Sequence, residues 1–198
     1  IVRGPNIKPP PIPPALPDGF QGRVLIVLPD NVSTGSMAPD GAIVMADRSN
    51  VAAIAEYTFM KEDPEFVRRA RDWGGGFIVA GENYGQGSSR EHAAMAPLAL
   101  GVRCVLARGF ARIHRRNLIA QGLVPLLIDE PALDRLEVGD ELSVPGLRQA
   151  VEGGSEEVEV RVGGKDGFVA RLDLSPRERQ VVLAGGVLNQ LREQETGT

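Results

Sequence analysis

Apolar runs at residues 77–80, 103–107 and 124–128 alternate with stretches of helical character at 90–100 and 111–120. A short apolar run bounded by glycine or polar turns reads as a strand. Strand, helix, strand at this spacing calls for crossover connections, and crossovers join parallel strands. The chain is therefore expected to fold as α/β with a mixed, partly parallel sheet.

Upstream, 23–28 reads as a strand, 29–41 as a long loop, 42–46 as a short strand and 51–56 as a short helix. Asp63-Pro64 resembles an N-cap with proline at the first helical position, opening a helix to about Asp72. Pro97 is expected to end or kink the helix at 90–100, and Gly122 to close the one at 111–120. After Asp129 the pattern changes. Residues 141–144, 158–162 and 168–172 look like antiparallel strands with glycine-rich turns. Ser175-Pro176-Arg177-Glu178 is a capping box opening a last helix towards Arg192, interrupted near Gly185-Gly186.

Prolines 5, 9, 10, 11, 13, 14 and 17 exclude helix at the start of the chain and favour an extended, semi-rigid segment. Two readings stand: an arm over the surface, or a tether to a preceding domain. The tether is favoured because the chain opens without methionine. The expected division is a linker at 1–20, one domain at 21–193 and a frayed tail at 194–198.

The chain has 198 residues, 42% hydrophobic and 24% charged, with a formal charge of −4. Such a balance argues against nucleic-acid binding through bulk charge, although Arg103, Arg108, Arg112, Arg115 and Arg116 lie close together in sequence. A single cysteine, Cys104, and two histidines, His92 and His114, cannot complete a cluster or multi-histidine metal site within the chain. Cys104 reads as a buried thiol, and the histidines as packing or polar-contact residues. No apolar run approaches the about 18 residues of a membrane span, and no signal-peptide pattern opens the chain. No membrane association and a cytoplasmic location are expected.

Gly81-Glu82-Asn83-Tyr84-Gly85-Gln86-Gly87-Ser88-Ser89-Arg90-Glu91-His92 is the stretch that carries chemistry. It follows the run at 77–80 and leads into a helical stretch. Glycine allows tight turns and close backbone approach to a ligand, and a helix N-terminus favours anions. The loop lacks the lysine of a phosphate-binding P-loop, and Arg90 stands where the third glycine of a dinucleotide fingerprint belongs. A plain strand–turn–helix corner capped by Ser88 or Ser89 is the simple reading. One cap needs one serine, however. The second hydroxyl and the adjacent guanidinium point to an anionic substrate.

This stretch resembles the signature of the C-terminal swivelling domain of aconitases and of the related isopropylmalate and homoaconitate dehydratases. The resemblance extends to Phe110-Ala111-Arg112-Ile113-His114, Asn117-Leu118, Gly122-Leu123-Val124-Pro125-Leu126, Gly186-Val187-Leu188-Asn189, the opening Val2-Arg3-Gly4-Pro5-Asn6-Ile7 and the loop at 30–50. Tyr84 and the 110–114 stretch look more like aconitase than like separate small subunits.

The resemblance implies a three-layer β/β/α swivelling domain closing over a [4Fe–4S] cluster held by cysteines elsewhere. The cluster-bearing domains would lie on the same protein or on a large subunit. It implies a hydro-lyase acting on a tricarboxylate, such as citrate to isocitrate through cis-aconitate, as in the tricarboxylic acid cycle. An isopropylmalate- or homoaconitate-type dehydratase is the alternative, and a degenerate RNA- or partner-binding module the alternative of another class. By position in the motif, Ser88 takes the role of catalytic base. Ser89, Arg90 and Arg48 take substrate-binding roles. No metal or cofactor site is implied within this chain, which alone is expected to be inactive.

One departure stands out. The family usually reads Ser-Thr-Asp-His-Ile in the first loop, where this chain reads Ser33-Thr34-Gly35-Ser36-Met37. Gly35 cannot supply the family's active-site carboxylate. Weakened activity, a different substrate or a compensating residue are the expectations this leaves.

Overall fold

A computed structural model describes residues 7–39, 47 and 49–196; Arg48 and the expected strand at 42–46 lie outside the described residues. Parallel strands β1 (Phe20–Leu28), β2 (Gly76–Ala80), β3 (Val102–Ala107) and β4 (Val124–Leu127) lie side by side in chain order. The antiparallel strands are β5 (Glu141–Val144), β6 (Glu157–Val162) and β7 (Lys165–Arg171). They follow one another, and β5 then pairs with the start of β1 while β7 meets β4 at Leu127 and Arg171. The mixed sheet thus closes into a seven-stranded barrel, order β1-β2-β3-β4-β7-β6-β5.

Closure adds to the expected mixed α/β sheet a feature the sequence did not announce, and β1 supplies the physical reason. Residues 20–23 pair with β5, whereas 23–28 pair with β2. A strand that long pairs with an antiparallel neighbour at its start and a parallel one along the rest, which closes the single sheet.

Burial patterns explain the layering. All five residues of β2 are buried, as expected of a strand covered on both faces. Leu25, Leu28, Ile78, Ala80, Val105 and Ala107 face a layer of helices. That layer includes α2 (Val51–Ala55), α3 (Phe66–Asp72) and α4 (His92–Ala99). Val24, Phe77, Val79, Cys104, Leu106, Val124 and Leu126 point the other way, into the barrel. There they meet the inward residues of β6, whose sequence EVEVRV alternates exposed and buried. Each fully buried aliphatic side chain contributes about 1.5–3 kcal/mol of transfer free energy. Burial pushes the Cys104 thiol up to about 12, so it is an inert wall residue.

Ahead of the layer lies α1 (Thr34–Met37); α5 (Arg112–Ala120), α6 (Glu130–Asp134), α7 (Leu147–Glu152), α8 (Pro176–Ala184) and α9 (Val187–Thr196) complete the chain. The capping box at Ser175 forms: Ser175 Oγ accepts from the Glu178 amide, and Glu178 Oε2 accepts from the Ser175 amide. Gly185, in the left-handed region, separates α8 from α9. The last helix is described to Thr196.

Two arginines on these helices are fasteners. Arg179 on α8 is buried, and its guanidinium donates to the carbonyls of Leu174, Ala150, Val151, Ser155 and Leu172. It ties α7, the turn after it and the exit of β7 to α8. Arg115, expected on a solvated helix face, instead donates to Glu178 Oε1 at 2.7 Å and to the Asp173 carbonyl. Burial favours the protonated Glu178, but hydrogen bonds from Arg115 and Ser175 outweigh it and hold the carboxyl below its ordinary range.

The described part of the proline-rich segment packs as an arm. Leu16 enters the barrel-side core, with its amide donating to Leu183 O and its carbonyl accepting from Arg148 Nη1. Arg103 Nη2 and Asn189 Nδ2 donate to the carbonyls of Pro14 and Pro13.

Candidate functional site

Ligands of open parallel sheets gather at the carboxyl ends of the strands. The loops that leave β1 and β2 at that end are stitched together here. Asp30 Oδ1 accepts from the Glu82 amide, and the Asn31 amide donates to Glu82 O. Val32 O accepts from the amides of Gly85 and Gln86, and Gln86 O accepts from Thr34. Asn83 Nδ2 donates to both Asn31 Oδ1 and Gln86 Oε1. Asn31 (φ 61°) and Asn83 (φ 57°) both take the left-handed backbone that asparagine tolerates. From β3, Gly109 O accepts from the Tyr84 amide, and Tyr84 O from the Ala111 amide. Three strand ends therefore converge on one loop.

Ser88 and Ser89 are exposed on that loop, and Arg90 is partly buried. Neither serine caps a helix. The helix begins at His92, with Glu91 at the cap position and no side-chain cap. Ser88 O explains the shift, because it accepts from both Thr34 Oγ1 (3.1 Å) and the Arg90 amide (2.9 Å). That pair folds the chain back before helix geometry can start. An oxyanion at Ser88 would not sit directly on a helix N-terminus, as the sequence pattern suggests.

Arg90 Nη1 donates to Ala38 O at 3.0 Å, so the first loop holds the guanidinium as well as the serine backbone. Thr34, quoted above only as part of the first-loop motif, and Ala38 brace the site in a way the sequence did not assign to them. Only long-range pairing brings them there. Arg48 lies outside the described residues, so its distance from the other three is not part of this geometry.

Beneath the loop, His114 on α5 is 1% exposed. Its ring stands edge-on to Tyr84 with centroids 5.2 Å apart. Gly85 packs on that ring; its φ is 84°, and a Cβ there would overlap the imidazole. Neither ring nitrogen of His114 has a hydrogen-bond partner among the described residues. Burial lowers its pKa from 6.5 to about 4.

The unfolded chain therefore binds a proton more readily than the native one between these two values. The stabilisation is fully present above pH 6.5 and is lost progressively as pH falls towards 4. A gap of this size is worth about 3 kcal/mol. Urea unfolding at pH 7 and pH 4.5 is expected to show the loss. His114→Phe, which keeps a ring under Gly85, should flatten that dependence; an unchanged dependence would place its origin elsewhere.

The clustered arginines do not form a basic face. Arg103 reaches Pro14 O, Arg108 pairs with Glu130 (3.4 Å) and lies 3.9 Å from Glu82, and Arg115 pairs with Glu178. Arg112 and Arg116 remain exposed. Among the described residues no group of three or more His, Cys, Asp or Glu side chains could hold a metal ion. Cys104, the one cysteine, is sealed inside the barrel. The residues of this chain do not fit an iron–sulfur cluster. Among the described residues no helix is long and apolar enough to cross a membrane.

Comparison with known proteins converges on one group. Residues 45–131 match the model of the aconitase C-terminal domain. The chain is 34% identical over 173 residues to a 3-isopropylmalate dehydratase small subunit of Halothermothrix orenii, covering 87% of this chain and 95% of that one. It is 40% identical over 133 residues to small subunit 2 of the same enzyme from Archaeoglobus fulgidus, covering 67% and 76%. A putative mitochondrial aconitate hydratase of Emericella nidulans is 38% identical over 171 residues, 81% of this chain but 21% of that protein. The chain thus spans about a fifth of that relative. The crystal structure of a 3-isopropylmalate dehydratase from Methanocaldococcus jannaschii superposes with a TM-score of 0.73 at 27% identity, over 90% of this chain and 96% of that one.

Proposed function

Because the chain belongs to the family of aconitase C-terminal domains and 3-isopropylmalate dehydratase small subunits, we propose that it is the base-bearing component of a hydro-lyase for hydroxy-polycarboxylic acids. The observation that carries this reading is the exposed Ser88-Ser89-Arg90 loop, braced by the first loop at the carboxyl ends of β1, β2 and β3.

In this reading Ser88 Oγ takes the proton from substrate carbon and returns it in the reverse direction. Ser89 and Arg90 hold a carboxylate, for which the guanidinium fork is suited. Arg48 holds a second. A serine hydroxyl is a weak base in water. It works only where donors and positive charge stabilise the alkoxide and bulk water is kept out. The loop is open on this chain, so the excluding wall comes from a cluster-bearing domain or large subunit. The family resemblance assigns the [4Fe–4S] cluster to that partner, and this chain alone is expected to be inactive.

An isopropylmalate-type substrate has the stronger support. The relatives that this chain spans nearly end to end are isopropylmalate dehydratase small subunits, as is the superposed structure an isopropylmalate dehydratase. Citrate and isocitrate are the second reading, favoured by the match to aconitate hydratase over 171 residues. Assay of the complete, cluster-loaded enzyme against isopropylmalate, citrate and homoaconitate-type acids decides. Higher kcat/KM for isopropylmalate is expected. Preference for citrate would establish the second reading, and turnover of none would contradict both.

A further inference from the structure

Among the described residues, three that are not glycine take the left-handed backbone: Asn31, Asn83 and Phe59. The two asparagines tolerate it and sit in the loops of the site. Phe59, at φ 56°, is a different case, because a bulky side chain makes that region costly. Such a conformation persists only where its surroundings hold it, and held strain gathers at functional sites. Phe59 is held at three points. Its ring is fully buried and stands edge-on to Phe66 of α3, with centroids 4.8 Å apart. Its carbonyl accepts from the amides of Glu62 and Asp63. Its amide donates to Ser36 O at 2.8 Å.

That last bond leaves the local turn and reaches the first loop. Ser36 lies in α1, and so short a helix cannot satisfy its own terminal carbonyls. From α1 the connection continues to the site. Thr34, buried at the start of α1, donates from Oγ1 to Ser88 O at 3.1 Å, and its amide donates to Gln86 O. Ala38, just past α1, accepts from Arg90 Nη1. Met37 sinks into the helix-side core, and α1 packs on α4. The short helix is thus a bracket with Phe59 on one side and the Ser88 loop on the other.

We propose that Phe59 and Thr34 are positioning residues for Ser88: Phe59 fixes α1 on the helix layer, and Thr34 passes that placement to the Ser88 backbone. The proposal rests on the hydro-lyase reading and deepens it by naming what aims the base. Both residues act through main-chain oxygens, Phe59 through that of Ser36 and Thr34 through that of Ser88. An exposed loop carrying a serine base drifts unless its backbone is held, and a misplacement of about 1 Å at a reacting group can cost about 10²-fold in rate.

Thr34→Val, Thr34→Ser and Phe59→Leu in the complete enzyme test this. Valine keeps the shape of threonine and loses the donor, while the Ser88 carbonyl keeps the Arg90 amide. The kcat of Thr34→Val is expected to fall about 10-fold or more, with KM changing less. Thr34→Ser keeps the hydroxyl and should regain most of that loss. Leucine at 59 stays apolar but lacks the ring edge against Phe66, which frees the backbone to leave the left-handed region. Its kcat should fall in the same way at temperatures well below its Tm. Wild-type kcat in Thr34→Val, or an equal loss in Thr34→Ser, overturns the role of Thr34. Wild-type kcat in Phe59→Leu overturns that of Phe59.

Hydrogen exchange read by mass spectrometry separates this proposal from the hydro-lyase reading. In Thr34→Val and in Phe59→Leu, peptides spanning 33–38 and 84–92 should exchange about 10-fold faster, with those of β2 and β3 unchanged. Wild-type exchange in the loop peptides overturns the bracket. Faster exchange in β2 and β3 as well marks a merely structural role and overturns it too. This arm decides even if the wild type turns over no hydroxy acid, a result that would defeat the hydro-lyase reading alone.

Discussion

Ser88→Ala in the complete enzyme is expected to reduce kcat by about 10²–10⁴-fold, the range for loss of a positioned acid–base group, while leaving stability unchanged. The fold uses the backbone of Ser88 and leaves its side chain outside. Thr34 Oγ1 and the Arg90 amide both donate to the Ser88 carbonyl, and the residue is exposed. Alanine keeps that carbonyl and both bonds, so the loop keeps its shape. Circular dichroism and Tm should match the wild type, and KM should move less than kcat. A variant that folds normally and turns over at the wild-type rate would remove Ser88 from the chemistry. Ser89→Ala should act differently, mainly through KM, because its proposed part is to hold a carboxylate.

The largest loss of stability is expected from Arg179→Met. Methionine has similar reach but no donors; it would strand the carbonyls of Leu174 and Ser155, whereas those of Ala150, Val151 and Leu172 keep backbone donors from Ser155, Gly154 and Leu174. An unsatisfied buried polar group costs about 1–3 kcal/mol. The groove beside Arg179, lined by Gly153, Gly154, Asp173 and Pro176, lets water reach some of these oxygens. With two carbonyls losing their donors the expected total is about 2–5 kcal/mol, and the Tm falls by roughly 10 °C for a chain this size. Arg179→Lys should recover only part, since three donors on one atom cannot serve carbonyls arranged around a planar fork. Denaturant unfolding measures both. A loss in Arg179→Met below about 1 kcal/mol would mean that the carbonyls find other partners.

The parallel half of the barrel was legible because a strand buried on both faces must be apolar throughout. Residues 77–80 satisfy that at every position and 103–107 at every position after the half-buried Arg103, and their strands extend them by one residue each at the start. The start of β1 was not legible. Phe20-Gln21-Gly22 shows no continuous apolar character, yet these residues pair with β5 and close the sheet. Lys165, Asp166 and Gly167 likewise begin β7 with exposed side chains, so their membership depends on pairing with β6 and not on pattern. The short helices α6 and α7 were hidden for another reason. Each has about one turn of sequence, too little for a period to register.

At the site, local chemistry was readable and long-range bracing was not. The Gly-Ser-Ser-Arg sequence announced the loop, whereas the roles of Thr34 and Ala38 depend on contacts across more than fifty positions of chain. The same bracing moved the helix start from Arg90 to His92. Arg115 was misjudged because a charge on a helix reads as solvated until its partner is known. That partner, Glu178, lies 63 positions away.

The central claim is that Ser88 exchanges a proton with substrate carbon. Hydration of the unsaturated acid by the complete enzyme in D₂O, followed by NMR, reads that step as formation of a carbon–deuterium bond. The wild type should place deuterium on carbon at every turnover, and folded Ser88→Ala should do so at least about 100-fold more slowly. Carbon–deuterium bond formation at the wild-type rate in that variant would contradict the account.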